Sequence, residues 1–286
     1  TAVRATKCNF ARAQKKDFLR NQFLRSVIIL SVVHIMSIQQ RIKDHLLGPA
    51  SENRIADVRI GLGYTAVMLE NGQTGVACTP IQHLRPNCTV FTGMLPLTGR
   101  KADELLAFMT SADALETAIG LATANALANT PAPEHDTGDV LNALELGPAD
   151  HVGMVGHFAP LVKDIRDTGA GLTIFEQIDA PTQVLRPAAE IPDQLPGCTV
   201  CLLTATSIIN HTFDAIIDQA SNCRSVILLG ASTPLLPGLF TDYPVTGLSG
   251  VLVTHPADLL HIVSCGGGMR RFKGVIQKIN IAISRK

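Results

Sequence analysis

The stretch HVGMVGHFAPLVKDIRDTGAGLTIFE, residues 151–176, decides the fold. HVGMVG is an apolar run of strand length, Pro160 opens a helical pattern, and GLTIFE is a second apolar run. Strand, helix and strand in so short a span form one crossover unit. The pattern then repeats. CTVCLLT is followed by a helix from Ser207, SVILLG by a short helix after Pro234, LSGVLV by a helix from Pro256, and a final helix starts at Met269. The proline-bearing stretch between GLTIFE and CTVCLLT reads as irregular. Near-continuous apolar strands alternating with helices imply a parallel sheet covered on both faces, so the C-terminal half is α/β.

Right-handed crossovers place every strand-to-helix loop on one edge of such a sheet. Residues 156–159, 204–207, 230–234 and 254–256 are therefore expected to converge on one ligand crevice. The candidate ligand-binding residues are Gly153, Gly156, Phe158, Glu176, Thr204, Thr206, Ser207, Asn210, Thr212, Gly230, Ser232, Thr233 and Pro234. Several also have a plainer reading. Ser232-Thr233-Pro234 is equally a helix start, Thr206 or Ser207 an ordinary N-cap, and Gly153 and Gly156 serve tight packing. The first loop carries two glycines of a dinucleotide fingerprint and lacks the third, while Glu176 ends the next strand, where an acid can bind ribose hydroxyls. A nucleotide or S-adenosylmethionine is accordingly one expected cofactor.

The N-terminal half reads as α+β. SIQQRIKDHLLG is a helix with Ser37 as N-cap, Ile38, Ile42 and Leu46 on one face, and Gly48 as stop. IADVRIGLG, YTAVMLE and TGVACT are strands, and Asn71-Gly72 between the last two is a two-residue hairpin turn with positive φ at both positions. Helical patterns follow over residues 102–111 and 114–129, and TPAPEHDTGD, residues 130–139, is a linker.

Composition narrows the function classes. The chain has 286 residues, 46% hydrophobic and 17% charged, enough to bury a sizeable core. Aromatic residues make up 4% with no Trp, which argues against a stacking platform for single strands. Seven of the 24 basic residues lie within residues 1–35 beside one acid, Asp17, so the rest of the chain is mildly acidic and no nucleic-acid partner is expected. That basic segment leads into an apolar run from Val27 to Ile35, too short to span a bilayer and followed by no small-residue cleavage site. Residues 1–35 are expected to be an extension outside the fold, with no membrane partner and with Met36 as the functional start. The seven cysteines lack disulfide spacing, which fits a reducing, cytoplasmic setting. Cys198 and Cys201 fall on one strand reading, where residues three apart face opposite sides, so their C-x-x-C is structural.

GMVGHFAPL, strand-ending Glu176, TATSIINHT, LLGASTPLLP and the late Gly266-Gly267-Gly268, preceded by a hairpin-and-helix half, together resemble the heavy-metal chelation family of bacteria and archaea. The resemblance covers roughly Met36 to the C-terminus. It implies an enolase N-terminal-like domain over residues 36–135 and a Rossmann-like parallel sheet over residues 140–286, with a suggested role in metal chelation. The sequence departs at Ala205, where the family is expected to favour glycine, so that loop would approach a ligand less closely.

A transition ion needs converging imidazole, thiolate or carboxylate groups. The crevice can offer His157, His211 and His255 as metal ligands, with Glu176 and Cys265 beside them, though none has the spacing of a local metal motif. His157 at the strand's end is the best-placed catalytic base for pyrrole-type protons. Asn210 and Thr212 would hydrogen-bond a substrate carboxylate. The leading expectation is binding of a metal ion or a metal-bearing small molecule such as a tetrapyrrole, with chelation or insertion chemistry. A nucleotide- or S-adenosylmethionine-dependent enzyme and a non-catalytic metal-homeostasis binder are the alternatives, and a homodimer is open.

Overall fold

Two sheets organise the chain, and an alanine-rich helix lies against one and reaches the other. The computed structural model describes residues 36–84, 89–133, 135–138 and 140–284. The expected extension over residues 1–35 lies outside them, and Ile38–Lys286 form one compact unit.

Helix α1 (Ile38–Glu52) buries Ile38, Ile42 and Leu46, as their spacing requires. It does not stop at Gly48 but continues through Pro49 to Glu52. Ala50 anchors the extra turn in the core, and the hydrogen bond lost at Pro49 falls on the exposed side of the helix. Strands β1 (Ile55–Ile60), β2 (Tyr64–Leu69) and β3 (Thr74–Cys78) form an antiparallel sheet in that order. In the β2–β3 turn only Gly72 is left-handed, with φ +85°, and its N–H donates to Leu69 O at 2.9 Å. Asn71 Oδ1 accepts the Gln73 N–H at 3.0 Å, so the connection is a three-residue loop rather than the expected two-residue turn.

After helix α2 (Ala102–Leu106) comes α3 (Ala114–Ala128), capped by the Asp113 carboxylate, which accepts from the N–H groups of Leu115 and Glu116 at 2.9 and 3.2 Å. From Leu115 to Ala126 every residue of α3 but Glu116 is buried, which suits a helix apolar on all sides. Gly75 of β3 lets it lie flat on the sheet, since a Cβ there would sit 2.1 Å from Ala126 N.

The C-terminal half runs β4 (His151–Val155), α4 (Ala159–Asp167), β5 (Gly171–Glu176), β6 (Leu185–Pro187), α5 (Ile191–Gln194), β7 (Val200–Thr204), α6 (Thr206–Ile209), α7 (Phe213–Gln219), β8 (Ser225–Leu229), β9 (Gly247–Val253), α8 (Pro256–Ser264) and β10 (Ile276–Ala282). The seven strands lie in the order β10-β9-β8-β7-β4-β5-β6, all parallel except β10. The fold is thus mixed α/β, with a small antiparallel sheet on the N-terminal side and a mostly parallel sheet in the C-terminal half.

Three local expectations are corrected. The proline-bearing stretch holds β6, short enough to hide among its breakers, paired with β5 through Ile174 and Leu185. The end of the chain is not a helix but antiparallel β10, where Ile279, Ile281 and Ile283 are buried at period two. After Pro234 there is only a tight turn at Pro237–Leu239, and the helix expected from Ser207 is split into α6 and α7 at His211, whose φ is +57°.

Counted from β4, the parallel strands follow the doubly wound order, and the sequence of strands reverses between β4 and β7. Loops leaving those neighbours run in opposite directions, which opens a crevice at their C-terminal ends. One buried apolar cluster extends from Ile38 and Leu105 through Val155, Phe175 and Leu203 to Ile279, so both halves share it. Among the described residues no helix is long and apolar enough to cross a membrane.

Candidate functional site

The crevice at the strand reversal is a cavity of about 440 Å³. Its floor is the β4–α4 turn with Val155, Gly156, His157 and Phe158, the end of β5 with Phe175, Glu176 and Gln177, and the β7–α6 turn with Thr204, Thr206 and Ser207. Asn210, Thr212 and the α7 residues Ala215, Ile216 and Gln219 form one wall, Ala188, Ile191 and Pro192 another. Cys78 and Gln82 enter from the end of β3.

Gly156 makes the first turn: its φ is +88°, its N–H donates to Phe175 O at 2.9 Å, and a Cβ would come within 3.0 Å of the Thr204 side chain. Glu176 is held by backbone amides. Its Oε2 accepts the His157 N–H and its Oε1 the Gln177 N–H, each at 3.0 Å. The Thr204 hydroxyl donates to Thr206 Oγ1 at 3.0 Å, and Ser207 Oγ donates to Thr204 O at 2.7 Å. Burial pushes the Cys78 thiol up, and a hydrogen bond with Thr206 offsets part of this, so the thiol is protonated at neutral pH.

Of the sequence-predicted residues, Gly156, His157, Phe158, Glu176, Thr204, Thr206, Ser207, Asn210 and Thr212 line this one cavity. Gly153 does not. It lies inside β4, where a Cβ would meet Leu195 Cδ1 at 2.6 Å, so its role is packing. Gly230, Ser232, Thr233 and Pro234 do not line it either, because their loop is a joint to the N-terminal half. Ser232 Oγ accepts the Cys78 N–H at 2.8 Å, while Asn125 Nδ2 donates to Ser232 O at 3.1 Å and Asn129 Nδ2 to Thr233 O at 3.1 Å. The loop at 254–256 is likewise outside the cavity.

The three candidate metal histidines are not brought together. His157 is exposed at the cavity edge. His211 donates from Nε2 to Ser111 O at 3.0 Å, which ties it to the start of α3. His255 is exposed beyond β9, with Nδ1 3.1 Å from Thr254 Oγ1. Cys265 lies 3.9 Å from His261 Nε2 on exposed α8 surface. Among the described residues no three or more His, Cys, Asp or Glu side chains are gathered to hold an ion.

A family model described as "Putative heavy-metal chelation", DUF364, matches residues 139–282, half of the chain, and a second of the same description, DUF4213, matches residues 43–128. The chain belongs to the heavy-metal chelation family. An uncharacterized protein of Methanocaldococcus jannaschii is 24% identical over 265 residues, covering 89% of this chain and all of that one. Two crystal structures of DUF364 proteins of unknown function share the fold. The one from Pyrococcus horikoshii has a TM-score of 0.76 at 22% identity and covers 86% of this chain and 99% of its own. The one from Desulfitobacterium hafniense DCB-2 has 0.72 at 23%, with coverage of 85% and 98%.

In this family member, sequence reasoning missed the walls of the cavity. Ile191, Pro192, Ile216 and Gln219 carry no motif, and Cys78 looks like any strand residue until β3 is seen to end over the parallel sheet. The C-x-x-C is structural for a different reason from the one expected. Strand β7 begins at Val200, so Cys198 precedes it, and Cys198, Cys201 and Cys223 are all buried in the same core cluster.

Proposed function

We propose that the protein binds a metal-bearing small molecule in the cavity at the C-terminal ends of β4, β5 and β7. The observation that carries this reading is the cavity itself: about 440 Å³ is the size of a small-molecule site and far exceeds a single ion. Among the described residues its lining supplies one thiol, one imidazole and one carboxylate, from Cys78, His157 and Glu176, amid apolar and hydroxyl groups. An organic ligand would then provide most of the metal's donors, in keeping with the family's description. A tetrapyrrole belongs to this class. In an insertion reaction each ring N–H exchanges its proton for a bond to the metal, and exposed His157 at the edge is the group that would take that proton up.

The test is native mass spectrometry with elemental analysis on the full chain. We expect a metal retained together with an organic mass, both lost in Ile216→Trp, which fills the cavity from α7. Metal retained by that variant, or metal without an organic partner, would refute the reading. Turnover then separates an enzyme from a homeostasis binder. A second reading, a nucleotide or S-adenosylmethionine site, is favoured by the strand order and by Glu176 at the end of the second parallel strand. It predicts thermal stabilisation by adenosine compounds that disappears in Glu176→Gln. The division into units over residues 36–135 and 140–286 is part of the same proposal, with Cys78 and Gln82 as the first unit's contribution.

A further inference from the structure

Anion-binding turns between a strand and a helix work because backbone N–H groups and the helix start are left open to the ligand. Here several of those groups are already engaged. The His157 and Gln177 N–H groups both donate to the Glu176 carboxylate at 3.0 Å, and Gly156 N–H donates to Phe175 O at 2.9 Å. At the start of α4, Pro160 has no N–H, and Leu161 N–H donates to Phe158 O at 2.9 Å. In the neighbouring turn Thr206 N–H donates to Thr204 Oγ1 at 3.3 Å. Among the described residues no lysine or arginine lines the cavity, and Glu176 is the one acid there.

We infer that Glu176 is a charge filter: its carboxylate occupies the anion seat of the β4–α4 turn, so the ligand is a neutral or cationic molecule without phosphate. This deepens the proposed function and rests on the cavity being the ligand site. A phosphate entering the turn would have to displace the carboxylate from two amides and then sit beside its charge, with no cation among the described lining residues to compensate. A neutral or positively charged chelate meets the opposite situation, because the carboxylate's remaining lone pairs accept from ligand N–H or O–H groups. The filter also narrows the second reading to adenosine compounds that lack phosphate.

The experiment is calorimetric titration of the full chain with inorganic phosphate, ADP and adenosine, on the wild type, Glu176→Gln and Glu176→Ala, with a thermal melt confirming that each folds. The wild type is expected to show no phosphate binding and no preference for ADP over adenosine. Glu176→Ala frees both amides and should gain phosphate binding, with ADP tightened on the order of tenfold or more relative to adenosine. Glu176→Gln keeps the shape and removes the charge, so it should gain less but in the same direction, and it decides the matter if the alanine variant does not fold. A wild type that prefers ADP, or folded variants that gain no anion, would overturn the filter. The two failures are separable. If Ile216→Trp strips the retained metal-bearing ligand while the Glu176 variants gain nothing, the site stands and the filter falls. If Ile216→Trp strips nothing, the site itself falls.

Discussion

The joint between the two halves makes a paired prediction with opposite signs. Asn129, at the end of α3, is buried and makes three hydrogen bonds: Nδ2 donates to Thr233 O at 3.1 Å and Val251 O at 3.3 Å, and Oδ1 accepts from Leu235 N–H at 2.8 Å. Asn129→Ala removes all three and leaves a buried N–H without a partner. At about 1 kcal/mol net per bond, plus part of the desolvation cost of the orphaned amide, the loss is about 3–4 kcal/mol. For a chain of this size that corresponds to a fall in Tm of roughly 10 °C. Thr233, one loop away, is fully buried and its Oγ1 has no hydrogen-bond partner among the described residues. Thr233→Val keeps the shape and discards the unsatisfied hydroxyl, so it should be neutral or stabilising by about 1 kcal/mol. Urea unfolding of both variants, read as midpoints at constant slope, checks this. Asn129→Ala costing under about 1 kcal/mol, or Thr233→Val costing more than that, would refute the account, the second by showing that the hydroxyl has work to do.

Other outcomes follow from single contacts. Asp150 accepts from Arg224 Nε and Nη2 at 3.0 and 2.9 Å, from Thr199 Oγ1 at 2.8 Å and from Gly147 N–H, and the Arg224 guanidinium holds its carboxyl well below the usual carboxylate range. A lowered folded-state value stabilises above the unfolded carboxylate range and is lost as pH falls through and below it. Asp150→Asn should therefore cost about 1 kcal/mol at neutral pH, after allowance for screening at the half-exposed arginine, and flatten the acid limb of a stability-against-pH curve. Gly156→Ala puts a Cβ at φ +88° within 3.0 Å of Thr204, so it should lower stability by about 1–2 kcal/mol and weaken binding of the retained ligand. Unchanged ligand retention in that variant would place the ligand elsewhere. His211→Ala should cost about 1 kcal/mol in a melt, through the lost bond to Ser111 O, while leaving metal content as in the wild type. Loss of metal without loss of stability would reverse its assigned role.

Much of the fold was legible because burial leaves periodic traces. Strands β4, β5, β7, β8 and β9 are near-continuous apolar runs between helix starts, and Ile38, Ile42 and Leu46 mark the buried face of α1. What failed to show were elements whose identity comes from a partner far along the chain. Strand β6 is three residues long and exists through pairing with β5, and β10 exists through its seven-residue register with β9. Likewise α1 passes Gly48 because Ala50 finds a place in the core, a tertiary gain that outweighs the local breaker.

The candidate site shows the same limit more sharply. TATSIIN and GASTP are chemically alike, two hydroxyl-bearing loops after buried parallel strands, and sequence treats them alike. Position in the sheet separates them. The first follows β7, next to the strand reversal, where neighbouring loops part and leave space, so the Thr204 hydroxyl bonds to that of Thr206 and the Ser207 hydroxyl to Thr204 O at the edge of a cavity. The second follows β8, one strand further on, where β3 and α3 come down on the sheet. Cys78 N–H and the carboxamides of Asn125 and Asn129 then take up Ser232 and the carbonyls beside it. A hydroxyl in such a loop contacts a ligand only where the rest of the fold leaves it uncovered, and at β8 the N-terminal half has already taken the place a ligand would need.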